Sequence, residues 1–226
     1  MLDQAISAIL LNSREYGWVL EPEAKHLLSL AGIHVPKFKW ATTEDDALGF
    51  AEETGYPVVA KIVSPRMVHK SEYGGVVTGI DNGTQLREVY SRFSAMEGFV
   101  GTLVEETLSG IELIIGGKMD YQFGPVVLFG IGGTKAEIYR DTTVRMAPLT
   151  EKDVRFMVTC LKAHRLLEGY RGSYPIHFQE LSKMMVAFSN LLMALEGQFE
   201  SIDLNPVMCS SEHCVVGDAR IMLPVK

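Results

Sequence analysis

Short apolar segments alternate with breaks at glycine and proline along the chain, a pattern typical of interleaved helices and strands. Apolar residues recur at helical spacing, and start and stop signals flank them, in four early segments: 3–16, 21–32, 42–55 and 83–93. β-Branched and apolar runs between these segments predict three strands, at 33–40, 58–63 and 76–80. This order indicates a small α/β lobe at residues 20–98, and it leaves open how the first helix, within 1–19, packs.

The second half of the chain predicts a separate lobe that is richer in strands. Apolar runs bounded by glycine predict strands at 99–107, 110–117 and 124–133. Their short turns favour an antiparallel sheet of these three strands. Two helices, at 151–162 and 177–195, precede two more strands, 199–208 and 215–221, that carry acids where core residues are expected. We therefore predict an α/β (α+β) protein with a second lobe at residues 99–226.

Composition sets the broad class of the protein. The 226 residues are 47% apolar with a formal charge of −7, which fits a globular protein and disfavours a general nucleic-acid surface. No apolar run is long enough for a membrane span, and the first residues do not resemble a signal peptide, so a cytoplasmic protein is expected. Three cysteines do not indicate a disulfide framework. Adjacency of His213 and Cys214 disfavours zinc binding with Cys209, and a surface hairpin tip is predicted there instead.

One lysine interrupts the apolar strand 58–63, and a glycine pair follows it in the chain. A buried lysine is costly unless it is paired, and a nucleotide phosphate is one suitable partner for Lys61. Gly74 and Gly75 would let backbone amides approach an anion without a Cβ clash. Together these residues suggest a lid over phosphates, but a β-hairpin with a surface lysine explains them equally well.

Acids and an asparagine lie on strands predicted for the second lobe. Glu105 and Glu112 fall on strands predicted to pair, and Asp203, Asn205 and Asp218 fall on the C-terminal strands. Magnesium takes oxygen ligands and needs only one or two protein groups besides phosphates and water, which Asn205 and Asp218 could supply across a hairpin. Ordinary turn chemistry is the alternative, because Asn-Pro and Gly-Asp are common loop dipeptides.

Many short motifs, in order along nearly the whole chain, resemble one family. They include Glu23-Ala24-Lys25, Tyr56-Pro57 before the Lys61 strand, His69-Lys70-Ser71 with Gly74-Gly75, Glu105-Glu106, Gly110-Ile111-Glu112, Gly132-Gly133, Arg145 with Pro148, Arg171-Gly172, Asp203-Leu204-Asn205-Pro206 and Asp218-Ala219-Arg220. The sequence resembles the β subunit of ADP-forming acetate–CoA ligase, or NDP-forming acyl-CoA synthetase. That subunit is an ATP-grasp module related to the β chain of succinyl-CoA synthetase.

The resemblance implies a two-lobed ATP-grasp fold with the nucleotide between the lobes, and a role for each matching residue. Phosphates would contact Lys61, under a loop that contains Gly74 and Gly75. The adenine would meet the segment Glu105, Glu106 and Thr107, and Glu112 would lie near the ribose and phosphates. The remaining implied roles are magnesium binding by Asn205 and Asp218, contact of Arg145 with the terminal phosphate, and contact of Asp203 with a partner's phosphohistidine.

The family reaction converts acyl-CoA, ADP and phosphate into acid, ATP and CoA, reversibly. The resemblance implies Mg²⁺ and ATP or ADP as ligands, and an α subunit, in an α2β2 assembly, that carries the CoA and acyl sites and the phosphohistidine. His69 is predicted either to relay the phosphoryl group or to have a structural or phosphate-contacting role. His177, where the family often has an aspartate, is interpreted as a helix cap. The alternatives are a succinyl-type or other ATP-grasp ligase subunit, and a nucleotide sensor without turnover.

Overall fold

The computed structural model describes residues 4–133, 141–170 and 174–224, so Arg171 and Gly172 lie outside the described residues. In chain order its elements are α1 (Gln4–Ser13), β1 (Trp18–Val19), α2 (Glu21–Leu30), β2 (Phe38–Ala41), α3 (Glu44–Thr54), β3 (Val58–Val63), β4 (Val76–Ile80), α4 (Gly83–Ser94), β5 (Gly101–Glu106), β6 (Ile111–Asp120), β7 (Gly124–Ile131), β8 (Thr142–Met146), α5 (Glu151–Cys160), α6 (Phe178–Ala194), β9 (Ser201–Cys209), β10 (Cys214–Val216) and β11 (Ala219–Met222). Short 3₁₀ turns occupy Lys70–Tyr73 and His164–Leu166.

The chain divides into two compact units. The smaller unit contains Leu20–Pro22 and Pro36–Leu108, and the larger unit contains Glu23–Val35, the described residues before Leu20 and those after Leu108. These bounds differ from the predicted lobes at 20–98 and 99–226, because β5 pairs with strands of the smaller unit and most of α2 packs in the larger one.

The smaller unit is built on an antiparallel sheet with the strand order β2-β5-β3-β4. Its core includes Ala60 and Ile62 of β3, Leu48 of α3, and Leu86 and Phe93 of α4. The two helices therefore cover the sheet face on which Ala60 and Ile62 lie. Lys61 points to the opposite face, because side chains alternate along a strand.

The larger unit contains a seven-stranded sheet with the order β1-β11-β9-β6-β7-β8, and β10 also pairs with β9. Its inner face packs against helices in one apolar core that includes Ile115 and Phe129 of the sheet with Phe188 and Leu192 of α6. Gly117 of β6 packs closely against α6, since a Cβ there would lie 2.6 Å from a Leu192 methyl carbon and displace that side chain. No helix in the described ranges is long and apolar enough to cross a membrane.

Several predictions about elements need correction. The proposed three-stranded sheet over residues 99–133 is wrong, because only β6 and β7 pair with each other while β5 joins β2 and β3. The strand predicted at 33–40 shortens to β2, and that predicted at 215–221 is broken in two at Gly217 and Asp218. The short strands β1 and β8 were not predicted from the sequence pattern.

The tip of the β9–β10 hairpin carries the clustered cysteines. Cys209 and Cys214 occupy opposite register positions and form a disulfide, while Cys160 is free and exposed. The hairpin prediction is confirmed, whereas the disulfide was missed because an odd, sparse cysteine count indicates no framework. Each of these two sulfur atoms is therefore bonded to the other.

Candidate functional site

Lys61 lies at the centre of a buried charge cluster in the smaller unit. The residue is 6% exposed, so the interpretation as a surface lysine is wrong. Its Nζ lies 2.7 Å from Oε1 of Glu21 and 3.0 Å from Oε2 of Glu105. Burial of this ammonium group is offset by these carboxylates, as the cost of an unpaired buried charge requires.

Glu105 and Glu21 take up positions that the sequence did not predict. Val59 of β3 is the register partner of Glu105 and shares a sheet face with Lys61, so the Glu105 side chain turns toward Lys61. Glu21 is the first residue of α2. Its other oxygen, Oε2, contacts Nζ of the buried Lys70. An acid just before Pro22 is the usual helix-start signal, which conceals this second role.

The glycine pair ends the 3₁₀ turn after His69. Gly74 adopts a left-handed conformation with φ of 67°, and its N–H donates to the Ser71 carbonyl at 3.3 Å. The Gly75 N–H donates to the Lys70 carbonyl at 2.8 Å. Both amides are thus engaged inside the turn, which does not support the expectation that they face an anion. The His69 ring is largely exposed, with Nδ1 3.8 Å from a Glu72 carboxylate oxygen.

The segment predicted to receive adenine is anchored within the smaller unit. The Glu106 carboxylate accepts a hydrogen bond of 2.8 Å from the Lys37 amide, and its own amide donates to the Lys37 carbonyl at 3.1 Å. The Thr107 hydroxyl donates to the Pro57 carbonyl at 2.8 Å. The end of β5 is therefore held by side chains and backbone together.

The β9–β11 hairpin of the larger unit brings several predicted residues together. Asp203 is the register partner of Arg220, whose Nη2 lies 3.1 Å from Oδ2 of Asp203. Two residues after Asp203 on β9, the backbone N–H of Asn205 donates a hydrogen bond of 3.2 Å to the backbone carbonyl of Asp218. Burial raises the pKa of the Asp203 carboxyl, and the Arg220 guanidinium acts in the opposite direction by favouring the ionised form.

The buried Lys25 side chain forms a hydrogen bond to the loop that carries Asp218. Lys25 of α2 is fully buried, and its Nζ donates to the Gly217 carbonyl at 2.9 Å. Asn205 and Asp218 offer an amide oxygen and a carboxylate, which is a donor set suited to Mg²⁺ completed by water and phosphate oxygens. The described part of the chain contains no cluster of three or more histidine, cysteine or acidic side chains that could hold a metal. Asn205 and Asp218 are thus two groups that could hold a magnesium ion together with water and phosphate oxygens.

Glu112 lies beside the glycine-rich end of β7. The Gly132 N–H donates to the Glu112 carbonyl at 2.7 Å, and a Cβ on Gly133 would lie 3.2 Å from Oε2 of Glu112. Glu112 is exposed and is the register partner of Met208 on β9. Because Gly132 and Gly133 have no side chains, the backbone of this turn can lie close to Glu112.

Arg145 is not brought together with the other predicted residues of the larger unit. Its register partner is Val127, which is buried in the core on the helix-covered face. The guanidinium lies 3.5 Å from Asp153 and 4.3 Å from the centre of the Phe156 ring, both on α5. Since paired residues share a sheet face, Arg145 faces the helices. This placement does not support the predicted contact of Arg145 with a terminal phosphate, which stays a prediction.

His177 caps α6, as the sequence analysis proposed. Its Nδ1 accepts a hydrogen bond of 3.3 Å from the Glu180 amide. The ring therefore occupies the position that an aspartate takes at many helix starts, and the capping interpretation is confirmed.

Comparison with known proteins identifies the class. A family model described as an ATP-grasp domain matches residues 11–223, so the chain is an ATP-grasp protein and the predicted fold class is confirmed. A more specific similarity is to the β subunit of acetate–CoA ligase I (ADP-forming) from Pyrococcus furiosus, which is 38% identical over 91% of each chain. The chain therefore belongs to the family of ADP-forming acetate–CoA ligase β subunits, which are ligases.

Solved structures agree with this assignment. The dinucleotide-forming acetyl-coenzyme A synthetase 1 of Ca. Korarchaeum cryptofilum, in complex with coenzyme A, Ca-AMPCP and HgCl⁺, is 37% identical with a TM-score of 0.90, over 96% of this chain and 99% of that one. A second structure of that enzyme contains coenzyme A and Mg-AMPPCP, with a phosphohistidine segment pointing towards the nucleotide-binding site. It is 36% identical with a TM-score of 0.86, over 97% of this chain and 100% of that one.

Proposed function

We propose that this chain is the nucleotide-binding subunit of an ADP-forming acetate–CoA ligase, and that it moves a phosphoryl group between a partner's phosphohistidine and Mg-ADP. The observation that carries the proposal is the polar row on the β9–β11 hairpin, where Asp203, Asn205 and Asp218 lie together. The overall reaction converts acyl-CoA, ADP and phosphate into acid, ATP and CoA. An α subunit would supply the CoA site, the acyl site and the phosphohistidine, in an α2β2 assembly in the cytoplasm.

In the transfer step the bond between the imidazole nitrogen and phosphorus breaks, and a bond forms between phosphorus and a β-phosphate oxygen of ADP. The imidazole keeps the electron pair of the broken bond. Lys61 offsets phosphate charge, and Asp203 accepts a hydrogen bond from the other ring nitrogen, which fixes the ring's orientation. Little covalent chemistry is needed, because such transfers depend on positioning and charge stabilisation.

A magnesium ion on Asn205 and Asp218 would neutralise charge on the phosphate oxygens. Glu112 would lie beside the ribose and phosphates, and Glu106 and Thr107 would present the adenine-binding segment. Gly74 and Gly75 shape the loop that carries His69. Lys61 and the hairpin residues thus have separate tasks, phosphate binding and metal binding.

The test is ATP formation from acetyl-CoA, ADP, Mg²⁺ and phosphate, measured with this chain alone and mixed with its candidate α subunit. We expect ATP only in the mixture. Absence of ATP from the mixture, while the chain alone binds Mg-ADP tightly, would indicate another acid substrate or a sensor.

A second candidate route for the same transfer passes through His69. On this route the bond from phosphorus to the partner's imidazole breaks as a bond forms to a His69 ring nitrogen, and that second bond breaks as the β-phosphate oxygen of ADP takes the phosphoryl group. Exposure of His69 on the loop makes the ring accessible to a partner segment. His69→Ala should abolish ATP formation by the complete enzyme, whereas His26→Ala, on an exposed position of α2, serves as the matched control. Unchanged turnover of His69→Ala would end the relay hypothesis.

A further inference from the structure

One buried carboxylate contacts two lysines in the smaller unit. Glu21 is 3% exposed, and its two oxygens are divided between two ammonium groups: Oε1 lies 2.7 Å from Nζ of Lys61, and Oε2 contacts Nζ of Lys70. Both lysine side chains are less than a tenth exposed. Two ammonium groups that contact the two oxygens of one carboxylate lie close together, on either side of that carboxylate.

The geometry points to Glu21 as a positioning residue that holds Lys61 and Lys70 side by side as a pair of phosphate-binding cations. Lys70 is thereby a second ligand for the nucleotide's phosphates. This inference rests on the proposed function, because it deepens the phosphate site that Lys61 defines.

Electrostatics explain why the pair needs this carboxylate. Two lysines brought together away from water repel each other, and each also loses hydration. Glu21 and Glu105 supply two negative charges against the two positive charges of Lys61 and Lys70. Loss of the Glu21 charge removes the carboxylate that contacts both ammonium groups. The pKa of these buried lysines is then lowered, because a nearby negative charge that favours their charged form is gone.

The backbone ties Lys70 to the glycine turn. The Lys70 carbonyl accepts the Gly75 N–H at 2.8 Å, and the Gly75 carbonyl accepts the Ile62 N–H at 2.8 Å. Ile62 follows Lys61 directly in β3. Glu21 therefore links the two lysine side chains, and Gly75 links the backbones at Lys70 and Ile62. Together these contacts fix the position of Lys70 relative to Lys61.

The first experiment compares Glu21→Gln with the matched control Glu23→Gln, two residues further along the same helix. Binding of ADP and of adenosine is measured by calorimetry at pH 7.5 and pH 9. We expect Glu21→Gln to weaken ADP binding roughly tenfold or more at pH 7.5, the size of one lost charge-assisted contact. Adenosine binding should stay within about twofold, because adenosine carries no phosphate.

The pH dependence separates positioning from a merely structural role. In Glu21→Gln the ADP deficit should grow between pH 7.5 and pH 9, since lysines with a lowered pKa lose their protons as the pH rises. Wild type and Glu23→Gln should show no such growth. A deficit that is equal for ADP and adenosine, or equal at both pH values, would overturn the proposal, and so would an absent deficit.

A double variant keeps the test decisive if Glu21→Gln folds poorly. Glu21→Gln combined with Lys70→Met removes one charge of each sign, so Lys61 keeps Glu105 as its partner. Lys70→Met alone should weaken ADP binding, and the double variant should bind ADP as Lys70→Met does, without growth of the deficit at pH 9. Unimpaired ADP binding by Lys70→Met would refute the second-ligand role. Failure of the wild-type chain to bind ADP would instead refute the proposed function.

Discussion

Gly75 offers a direct test of whether the glycine pair serves folding or phosphate binding. A Cβ at Gly75 would lie 2.6 Å from Cγ2 of Ile62 and 2.9 Å from the Lys70 carbonyl oxygen, so Gly75→Ala overpacks the turn against β3. Overpacking of this kind costs about 1–3 kcal/mol. In a chain of this length each kcal/mol lowers Tm by about 2–4 °C, so we expect a loss of roughly 2–12 °C.

Gly74→Asn is the matched comparison. A Cβ at Gly74 meets no atom within 4 Å, and asparagine tolerates the left-handed conformation that Gly74 adopts. Thermal unfolding by circular dichroism should therefore show a smaller loss of Tm for Gly74→Asn than for Gly75→Ala. Equal Tm values for both variants and wild type, together with equally weakened ADP binding, would refute the packing argument and favour amides that bind phosphate directly.

Three further predictions concern the larger unit. Arg220→Gln removes the cation that lowers the pKa of Asp203, so the pKa of Asp203 should rise. The acid limb of the pH–rate profile for ATP formation should then move to higher pH. An unchanged acid limb would indicate that Asp203 does not act in the transfer step. Arg145→Met should lower Tm by a few degrees, for loss of about 1 kcal/mol, and leave KM for ADP within about twofold; a large rise in KM would restore a phosphate role. Asp218→Asn should raise the Mg²⁺ concentration for half-maximal ATP formation about tenfold, for the loss of one charged ligand, and an unchanged Mg²⁺ requirement would count against metal binding there.

The sequence predicted residues whose chemistry conflicts with their surroundings. Lys61 was found because a lysine in a β-branched strand needs a partner, and the burial of Lys61 among carboxylates agrees with that reasoning. The order of the early helices and strands was found because glycine and proline separate them. The acids of the C-terminal strands were noticed because they occupy positions where core residues were expected.

Other features depend on pairings that a single sequence does not reveal. Glu21 could not be matched with Lys61 or Lys70, because the partners come from distant parts of the chain. The face of Arg145 depends on the register of β8 against β7, and the amide partners in the glycine turn depend on its 3₁₀ geometry. The bounds of the two units were missed because β5 pairs backward in sequence, with β2 and β3.

The strand pairing of the two units has a consequence for synthesis on the ribosome. The sheet of the smaller unit is drawn entirely from residues 38–106, whereas β1 near the start of the chain pairs with β11 near its end. Contacts between distant parts of a sequence form late and slowly. A nascent chain can thus assemble its smaller sheet early, while the strand that follows Asp218 is still absent. A chain truncated before β11 keeps the strands of the lysine-bearing sheet but loses the strand that pairs with residues 201–204 of β9.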